Sequence, residues 1–120
     1  MQRSRRPAAG LFVALVAVLM VVVMAVAALA ITKRVRADGR RWKPKIVDIG
    51  RGDAVRWVNP TGRTHDLHDV GSNWSISVVL SPGESVRRVF NKRGTFRFRC
   101  VRHSGIVGGK CQGMCGRVVV

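Results

Sequence analysis

The stretch CVRHSGIVGGKCQGMCGRVVV, residues 100–120, carries most of the reactive side chains of this 120-residue sequence. It contains all three cysteines, one of the three histidines and one of the four methionines. Thiolate, imidazole and thioether groups favour soft or borderline metals, whereas magnesium and calcium prefer oxygen ligands. The spacing Cys100-x-x-His103 brings a thiolate and an imidazole together directly after the strand-like run TFRFRC. The stretch therefore predicts a metal site whose donor set suits copper, at the end of a β-strand.

A mononuclear copper centre for electron transfer needs two imidazoles and one thiolate near one plane, with a weak axial thioether. Cys100 and His103 supply a thiolate and one imidazole. His65, at the end of another strand-like run, can supply the second imidazole, and Met114 the axial sulfur. The sequence therefore predicts a type 1 site with one copper ion. His68 matches no required position and is expected to be solvated.

Short apolar runs bounded by turn residues fill the chain beyond residue 44. They are KIVDIG, AVRWVN, THDLHDV, WSISVVL, SVRRVF, TFRFRC and GRVVV. In AVRWVN the residues Val55, Trp57 and Asn59 share one face of a strand. No segment after residue 38 has the 3.6-residue period of a helix. About seven or eight short strands, with turns every 8–12 residues or so, predict an all-β sandwich or barrel.

The N-terminal third has a different character. Residues 11–32, LFVALVAVLMVVVMAVAALAIT, carry no charge, and as a helix they would be about 33 Å long, enough to span a bilayer. Residues 1–10 are basic and are expected in the cytoplasm. Ala28-Leu29-Ala30 offers a signal-cleavage site, but the apolar run exceeds the length that a cleaved signal needs. The sequence predicts an uncleaved transmembrane signal anchor, followed by a basic linker at residues 33–43.

Two signals disagree about the side of the membrane on which the C-terminal domain lies. Lys and Arg are more numerous after the span than before it, which favours a cytoplasmic domain. Thiols and copper ligands instead fit an oxidising compartment. We expect a single-pass protein of the cell membrane with residues 44–120 on the extracytoplasmic side, periplasmic or extracellular. Trp42 is expected either at the membrane interface or in the domain core.

The formal net charge of the chain is +16. Such a charge suits anionic lipid, an acidic protein or nucleic acid. The sequence has no zinc-finger spacing, no tyrosine and no run of aromatics between basic residues, so no nucleic-acid partner is expected. Basic side chains occupy strand positions such as Arg87, Arg88, Arg97 and Arg99, which indicates a solvated face. We expect redox protein partners that are acidic where they dock.

From residue 44 to the end, the order of the segments resembles the cupredoxins of the plastocyanin, amicyanin and pseudoazurin kind. The matching pieces are GDAVRWVN, His65, LSPGESVRRVF, GTFRFRC, His103 and MCGRVVV. The resemblance implies a Greek-key β-sandwich in residues 44–120, with Trp57 and Phe98 in its core. It places the four ligand positions on His65, Cys100, His103 and Met114. It also implies outer-sphere one-electron transfer, with the exposed edge of His103 as the exit.

Two departures from the family pattern stand out. Ten residues, SGIVGGKCQG, separate His103 from Met114, where the family has only a few. Asp66 stands where the family often has Asn, which can donate a hydrogen bond to the cysteine loop. An ionised carboxylate cannot donate. The hydrogen bonding of the sulfur, and with it the reduction potential, therefore stays open at this point.

Cys111 and Cys115 have three interpretations. A disulfide between them would leave Cys100 as the lone thiolate, although a bridge over so short a loop is geometrically demanding. They can also ligate copper, because Cys-x-x-x-Cys-Gly resembles the binuclear copper centre of cytochrome oxidase subunit two. That centre has a histidine after the second cysteine, and this chain has none there. The third interpretation is a pair of free thiols.

The expected function is a membrane-anchored type 1 copper protein that carries single electrons between redox partners. Four protein ligands leave no open metal position for a substrate, so the chain is not expected to be an enzyme by itself. Two alternatives remain. One is a copper-binding or copper-delivery protein that uses the cysteine-rich loop. The other is a binding module on a cupredoxin fold, in which the basic surface does the work.

Overall fold

The computed structural model describes residues 29–120. They form nine strands: β1 (Thr32–Asp38), β2 (Arg41–Lys43), β3 (Ile46–Asp48), β4 (Ala54–Val58), β5 (His65–Val70), β6 (Ser77–Leu80), β7 (Ser85–Val89), β8 (Thr95–Val107) and β9 (Lys110–Val119). Within residues 29–120 no helix has the length and apolar character needed to cross a bilayer. The predicted span lies outside the described residues except for its last four, and Thr32 already belongs to β1.

The strands form two sheets, one with the order β2-β1-β4-β7 and one with the order β3-β9-β8-β5-β6. β1 lies parallel to β4, and β3 lies parallel to β9. The chain passes repeatedly from one sheet to the other, so many spatial neighbours are not consecutive in sequence. Such crossovers are typical of Greek-key sandwiches. The prediction of an all-β sandwich is confirmed.

The core between the sheets follows from the two-residue period of the strands. In β4, Val55 and Trp57 are fully buried, whereas Arg56 between them points away from the core. In β8, Phe96 and Phe98 point inward in the same way. Trp57 and Phe98 meet edge to face, with 5.3 Å between ring centroids. The two sheets are therefore joined by an aromatic contact between the residues that the resemblance places in the core.

The structure corrects the predicted linker at residues 33–43, which forms most of β1 and all of β2. Val35, Ala37 and Trp42 are buried in the core and alternate with exposed, mostly charged residues. The period of two is present in the sequence, but the charge of the outward positions hides it. Trp42 is a core residue and not a membrane-interface one. The domain begins at residue 32, twelve residues earlier than the sequence predicts.

Asp53 fastens the start of β1 to the turn that precedes β4. Its Oδ1 accepts a hydrogen bond from the Ile31 amide at 3.0 Å, and its Oδ2 accepts one from the Gly50 amide at 2.9 Å. The Ala54 amide donates in turn to the Ile31 carbonyl at 2.9 Å. The amides of Ile31 and Gly50 lower the pKa of Asp53, because they stabilise the ionised carboxylate.

The ten-residue insertion, residues 104–113, extends β8 and β9 into a long hairpin instead of forming a loop. Gly108 and Gly109 at its tip have φ angles of +57° and +74°. Positive φ at both central residues is what a type I′ hairpin turn requires. The predicted strand TFRFRC therefore continues to Val107, and the predicted terminal strand GRVVV is part of a strand that begins at Lys110.

Candidate metal centre

Three donor groups predicted from the sequence meet at one end of the sandwich. The Sγ atom of Cys100 lies 3.8 Å from Nδ1 of His65 and 3.5 Å from Nδ1 of His103. One ligand atom from each of the three residues lies within 4.8 Å of the others. His65 and Cys100 are fully buried, and His103 is partly exposed. The cluster thus has a closed inner side and one imidazole at the surface.

A bulge in β8 explains how Cys100 and His103 reach the same point. Residues three apart on a regular strand point to opposite faces. Here Arg99 pairs with Cys115 and Ser104 pairs with Gly113, so β8 has three more residues than β9 between these pairs. The extra residues leave the ladder and turn both side chains to the same side. The hydroxyl of Ser104 helps to hold this bulge, because it donates a hydrogen bond to the Cys100 carbonyl at 2.5 Å.

Met114 lies on β9 directly opposite this bulge. It is completely buried and belongs to the same core cluster as Cys100. The neighbouring Gly113 has a φ of +95°, and a Cβ atom built there would lie 2.5 Å from the carbonyl oxygen of His103. Only glycine therefore lets β9 come this close to the bulge. The close approach positions Met114 beside the cluster despite the ten-residue insertion.

The loop before His65 is held by Asn59, which follows β4 and which the sequence pattern predicts only as a residue on one face of a strand. The Asn59 side chain is buried and donates hydrogen bonds to the carbonyls of Arg63 and Leu80 at 2.7 and 2.8 Å. Its Oδ1 accepts from the amide and the hydroxyl of Thr61 at 3.1 and 2.6 Å. These bonds fix the connection that leads into β5. The sequence signal was Asn followed by Pro-Thr-Gly, a turn pattern.

Burial sets the protonation of the inner ligands. Burial lowers the pKa of His65, and the nearby His103 lowers it further, so the imidazole is neutral at physiological pH. Its Nδ1 faces the cluster, while its Nε2 is buried without a hydrogen-bond partner in the described part of the chain. Burial also raises the pKa of the Cys100 thiol. A thiol held this way becomes a thiolate when a metal cation replaces its proton.

Asp66 contacts the cysteine loop through both its backbone and its side chain. Its backbone amide donates to the sulfur of Cys100 at 3.4 Å, so the sulfur keeps a hydrogen bond that does not depend on the side chain. The carboxylate accepts a hydrogen bond from the Val101 amide at 2.6 Å. Burial acts to raise the pKa of Asp66, but the hydrogen bonds with Cys100 and Val101 and the nearby His68 outweigh it, and the pKa is lowered. The sulfur of Cys100 thus has a backbone hydrogen bond, and the ionised carboxylate of Asp66 lies close to the cysteine loop, with Arg102 Nε 3.7 Å from its Oδ2.

The other two cysteines are joined to each other. Cys111 and Cys115 form a disulfide, with 6.1 Å between their Cα atoms. Residues four apart on a straight strand would be about 13 Å apart. The chain turns between them at Gly113, which allows the short bridge. Of the three interpretations for this pair, the structure has the disulfide, and Cys100 is the one free cysteine of the three.

The spacing of the donor atoms in the cluster fits a metal ion. Three ligands bound to one ion in a plane, at metal–ligand distances of about 2.0–2.3 Å, lie about 3.5–4.0 Å from one another. The two sulfur–nitrogen distances, 3.5 and 3.8 Å, fall in this range. Two imidazoles, one thiolate and a buried thioether are the donor set of mononuclear electron-transfer copper. The residues present therefore fit copper, as the sequence predicts. His68 belongs to β5 but not to the cluster.

No protein-family model matches the chain. Solved structures share its fold, among them a reduced amicyanin variant with a TM-score of 0.62 and 20% identity, covering 74% of this chain and 81% of that one. A second reduced amicyanin variant has a TM-score of 0.62 and 19% identity, over 80% and 88% of the two chains.

A purple cupredoxin from Nitrosopumilus maritimus has a TM-score of 0.57 and 19% identity, over 73% of this chain and 98% of that one. Identities this low establish the shared fold and leave the role of the site to its own residues. The sandwich of residues 29–120 therefore has the cupredoxin fold, and its cluster of His65, Cys100 and His103, with Met114, fits a type 1 copper site.

Proposed function

We propose that this protein is a one-electron carrier with a single type 1 copper ion. The observation that carries the proposal is the convergence of His65, Cys100 and His103 on one point, next to the buried Met114. Copper bound there would supply a one-electron couple between its cupric and cuprous states. All four donors come from the protein, so no open position remains for a substrate, and we infer no enzymatic activity.

The surrounding residues fix the positions of the donor groups and exclude water from them. Cys100 and Met114 lie on two paired strands, and His65 begins a third strand whose approach is fixed by Asn59. Rigid strands keep the donors in nearly the same places in both oxidation states, which lowers the reorganisation that electron transfer requires. The burial of His65 and Cys100 excludes water from the inner side. His103, at the surface, is the shortest way out for an electron.

The surface around His103 supports an acidic redox partner. Val101, Ile106 and Val107 are large apolar side chains that are 41%, 45% and 58% exposed. Arg102 and Lys110 are exposed beside them. Apolar side chains with a basic rim fit a partner whose docking surface is apolar with an acidic rim. We propose that such a partner docks on the hairpin and exchanges electrons through His103. The rate of electron transfer between the two proteins would fall as ionic strength rises.

We also propose that the protein is anchored in the cell membrane by residues 11–32, with the sandwich on the extracytoplasmic side. The disulfide supports this placement, because disulfides persist in oxidising compartments. A topology reporter fused to the C-terminus tests it. Activity of a reporter that works only in the cytoplasm would overturn the placement.

The proposed copper chemistry is tested by loading the full chain with Cu(II) in detergent micelles. A thiolate bound to cupric copper gives an intense visible charge-transfer band and a narrow copper hyperfine splitting in paramagnetic resonance. We expect one copper per chain with both signatures. Weak, ordinary tetragonal copper spectra would contradict the proposal. A multi-line spectrum from two coupled coppers would show that the disulfide had opened and that its thiols bind metal.

The disulfide also bears on the copper-delivery alternative. That alternative needs free thiols to bind cuprous copper, and the bridge between Cys111 and Cys115 removes both. The binding-module alternative needs a scaffold that has lost its ligands, whereas the three-donor cluster is intact. Electron transfer is therefore the function that the geometry supports best.

A further inference from the structure

Three arginines stand side by side on the outer face of the four-stranded sheet. Arg34 on β1 pairs in register with Arg56 on β4, and Arg56 pairs with Arg87 on β7. The next row, Val35, Trp57 and Val86, points into the core, so the arginine row points outward. Like charges directly opposite one another on a sheet are destabilising. The row therefore lowers the stability of the fold, and an anion bound across it would offset this effect.

Carboxylates do not balance this face. Within residues 29–120 no ion pair involves Arg34, Arg56 or Arg87, and residues 1–28 contain no Asp or Glu. Arg56 donates to the hydroxyl of Ser85 at 3.2 Å, and Arg87 donates to the hydroxyl of Thr32 at 3.1 Å. Neutral hydroxyls hold these guanidinium groups in place without cancelling their charge.

The same face carries further basic side chains along its β2 edge. They are Arg36, Arg41 and Lys43. One acid, Asp38, lies among them, 4.0 Å from the Lys43 ammonium. Grooves between the strands are lined by arginines, one of them by Arg34 and Arg56 together. These residues form a basic surface whose guanidinium groups can bind anions bidentately, and we name it the arginine face.

The arginine face begins where the predicted membrane span ends. Thr32 is both the last residue of that span and the first residue of β1. Arg34 follows two residues later, about 7 Å along an extended strand, and Arg36 about 13 Å along it. Residues 29–31 belong to no helix or strand, so three residues separate β1 from a span that ends at residue 28. An anchor in residues 11–32 would therefore keep the first arginines of β1 close to the lipid headgroups.

We propose that the arginine face binds anionic phospholipid headgroups and lays the sandwich against the membrane. The proposal rests on the membrane anchor of the proposed function. Specific protein interfaces depend on apolar or aromatic side chains at their centre. Among exposed large apolar residues in residues 29–120, only Val89 belongs to the four strands of this sheet, and it pairs with Ala54 at the anchor end. A charged face without an apolar centre fits a lipid surface better than a folded partner.

Docking by this face leaves the metal centre free. The cluster of His65, Cys100 and His103 belongs to the other sheet and its hairpin. β1 and β4 run parallel from the anchor end toward the loop that precedes His65. One sheet would therefore hold the domain on the membrane while the other presents His103 to a partner.

The test uses the full chain in nanodiscs of phosphatidylcholine, with or without phosphatidylglycerol. A fluorophore is attached at Ser85→Cys on the arginine face, or at Ser77→Cys on the opposite sheet, in copper-loaded protein. Both serines are exposed on edge strands, so the two labels are matched in exposure; Ser85→Cys also removes the hydroxyl that accepts a hydrogen bond from Arg56, and it leaves the charge of Arg56 on the face. A quencher attached to the lipid headgroup reports proximity. We expect stronger quenching at Ser85→Cys than at Ser77→Cys in anionic discs, and equal quenching in neutral discs or high salt.

Paired charge reversals separate a specific face from net charge. R34E/R87E flanks Arg56 with carboxylates, which favours folding, and it should abolish the difference between the labels. Each basic side chain near an anionic surface strengthens binding roughly fivefold, so reversal of two should lower docking by at least about twenty-five-fold. R97E/R117E makes the same change in charge on the other sheet, where Arg97 pairs with Arg117. It should leave docking nearly unchanged.

Several outcomes would overturn the proposal. Equal quenching of the two labels in anionic discs would do so, as would equal losses from the two reversals. If polyglutamate changed the fluorescence of the Ser85→Cys label and anionic discs did not, the face would be assigned to an acidic protein partner instead. A chain that fails to enter nanodiscs would refute the anchor and this proposal together. A chain that docks but lacks the copper spectrum would refute only the electron-carrier function.

Discussion

The two sheets share one core, yet they carry different chemistry. The five-stranded sheet supplies all four donor residues, and its β8–β9 hairpin bears the exposed rim around His103. The four-stranded sheet supplies no donor, and its outer face carries arginines in cross-strand register. The difference shows that one sandwich can carry a metal-binding cluster and a basic surface on separate sheets. A change in one sheet should leave the property of the other intact unless it reaches their common core.

The largest effect is expected from Cys100→Ser. The hydroxyl does not replace the thiolate, so the visible charge-transfer band of the copper-loaded chain should disappear completely. Lipid docking by the arginine face should persist, because Cys100 belongs to the other sheet. The matched control is the double substitution of Cys111 and Cys115 by Ser, which should keep the band. Loss of the band in the Cys111 and Cys115 variant, but not in Cys100→Ser, would show that the hairpin cysteines and not Cys100 bind the copper.

Phe98→Ala removes a side chain that packs between the two sheets. Phe98 is fully buried, with ring contacts to Trp57 at 5.3 Å and Trp42 at 6.0 Å. The free energy of unfolding should fall by about 3–5 kcal/mol, as is typical when a buried aromatic side chain leaves a cavity. Chemical unfolding of the apo chain in detergent measures it. Because both sheets depend on this contact, copper binding and lipid docking should weaken together. A change in only one of them would refute a shared core.

Asn59→Ala tests whether the loop between β4 and β5, which connects the two sheets, positions His65. Asn59 directly follows β4, and its four hydrogen bonds hold the loop that leads to His65. Asn59→Ala removes the buried side-chain donor to the Leu80 carbonyl and the acceptor of the Thr61 amide, so the free energy of unfolding should fall by about 1–3 kcal/mol. The paramagnetic-resonance spectrum should broaden as His65 loses its fixed position. Asn91→Ala, in an exposed turn, is the control and should change neither property.

Asp66→Asn removes a negative charge and keeps nearly the same side-chain size. The amide oxygen of Asn can still accept the hydrogen bond from Val101, but the negative charge beside the thiolate is gone. The cupric state then loses stabilisation, so the reduction potential should rise by roughly 50 mV, the scale of about 1 kcal/mol from one nearby charge. Protein-film voltammetry measures the shift. Asp48→Asn removes an exposed carboxylate and should leave the potential unchanged. A fall in potential for Asp66→Asn would contradict the argument.

The smallest effect belongs to Asp53, far from the metal. Its pKa is lowered in the folded state, so it stabilises the fold at pH values above the unfolded pKa of about 3.9. That contribution is lost as pH falls through the lowered folded value. Asp53→Asn should therefore be modestly less stable than the wild-type chain at pH 7, and the difference should shrink in acid. Unfolding curves at several pH values test it. A stability difference between the two chains that grows as the pH falls would contradict this prediction.

The metal centre could be predicted from the residue types, but the path of the backbone around it could not be predicted. Two histidines, a cysteine and a methionine are distinctive ligands, and the structure brings the predicted His65, Cys100 and His103 together. The bulge that turns Cys100 and His103 to the same side depends on pairing between β8 and β9, which no local pattern shows. The hydrogen bond from the Asp66 amide to the sulfur likewise comes from two distant strands.

Strand prediction failed where charge hid the period. β4 has apolar residues at alternate positions and was predicted correctly, because Val55 and Trp57 are large. β1 has the same alternation in Val35 and Ala37, but its outward positions are basic and its inward ones small. A linker and a half-exposed strand then look alike. The parallel pairing with β4 distinguishes them, and it joins residues more than twenty positions apart.

The parallel pairing of β1 with β4 also has a mechanical consequence. Hydrogen bonds between strands run across the strand axis. A force applied at Ile31 along β1 therefore loads the five register pairs between β1 and β4 in shear, all at once, and does not open them one by one. The bond from the Ile31 amide to Asp53 lies at the point of loading. A domain tethered through this strand would resist a pull from its anchor while a partner holds the opposite end.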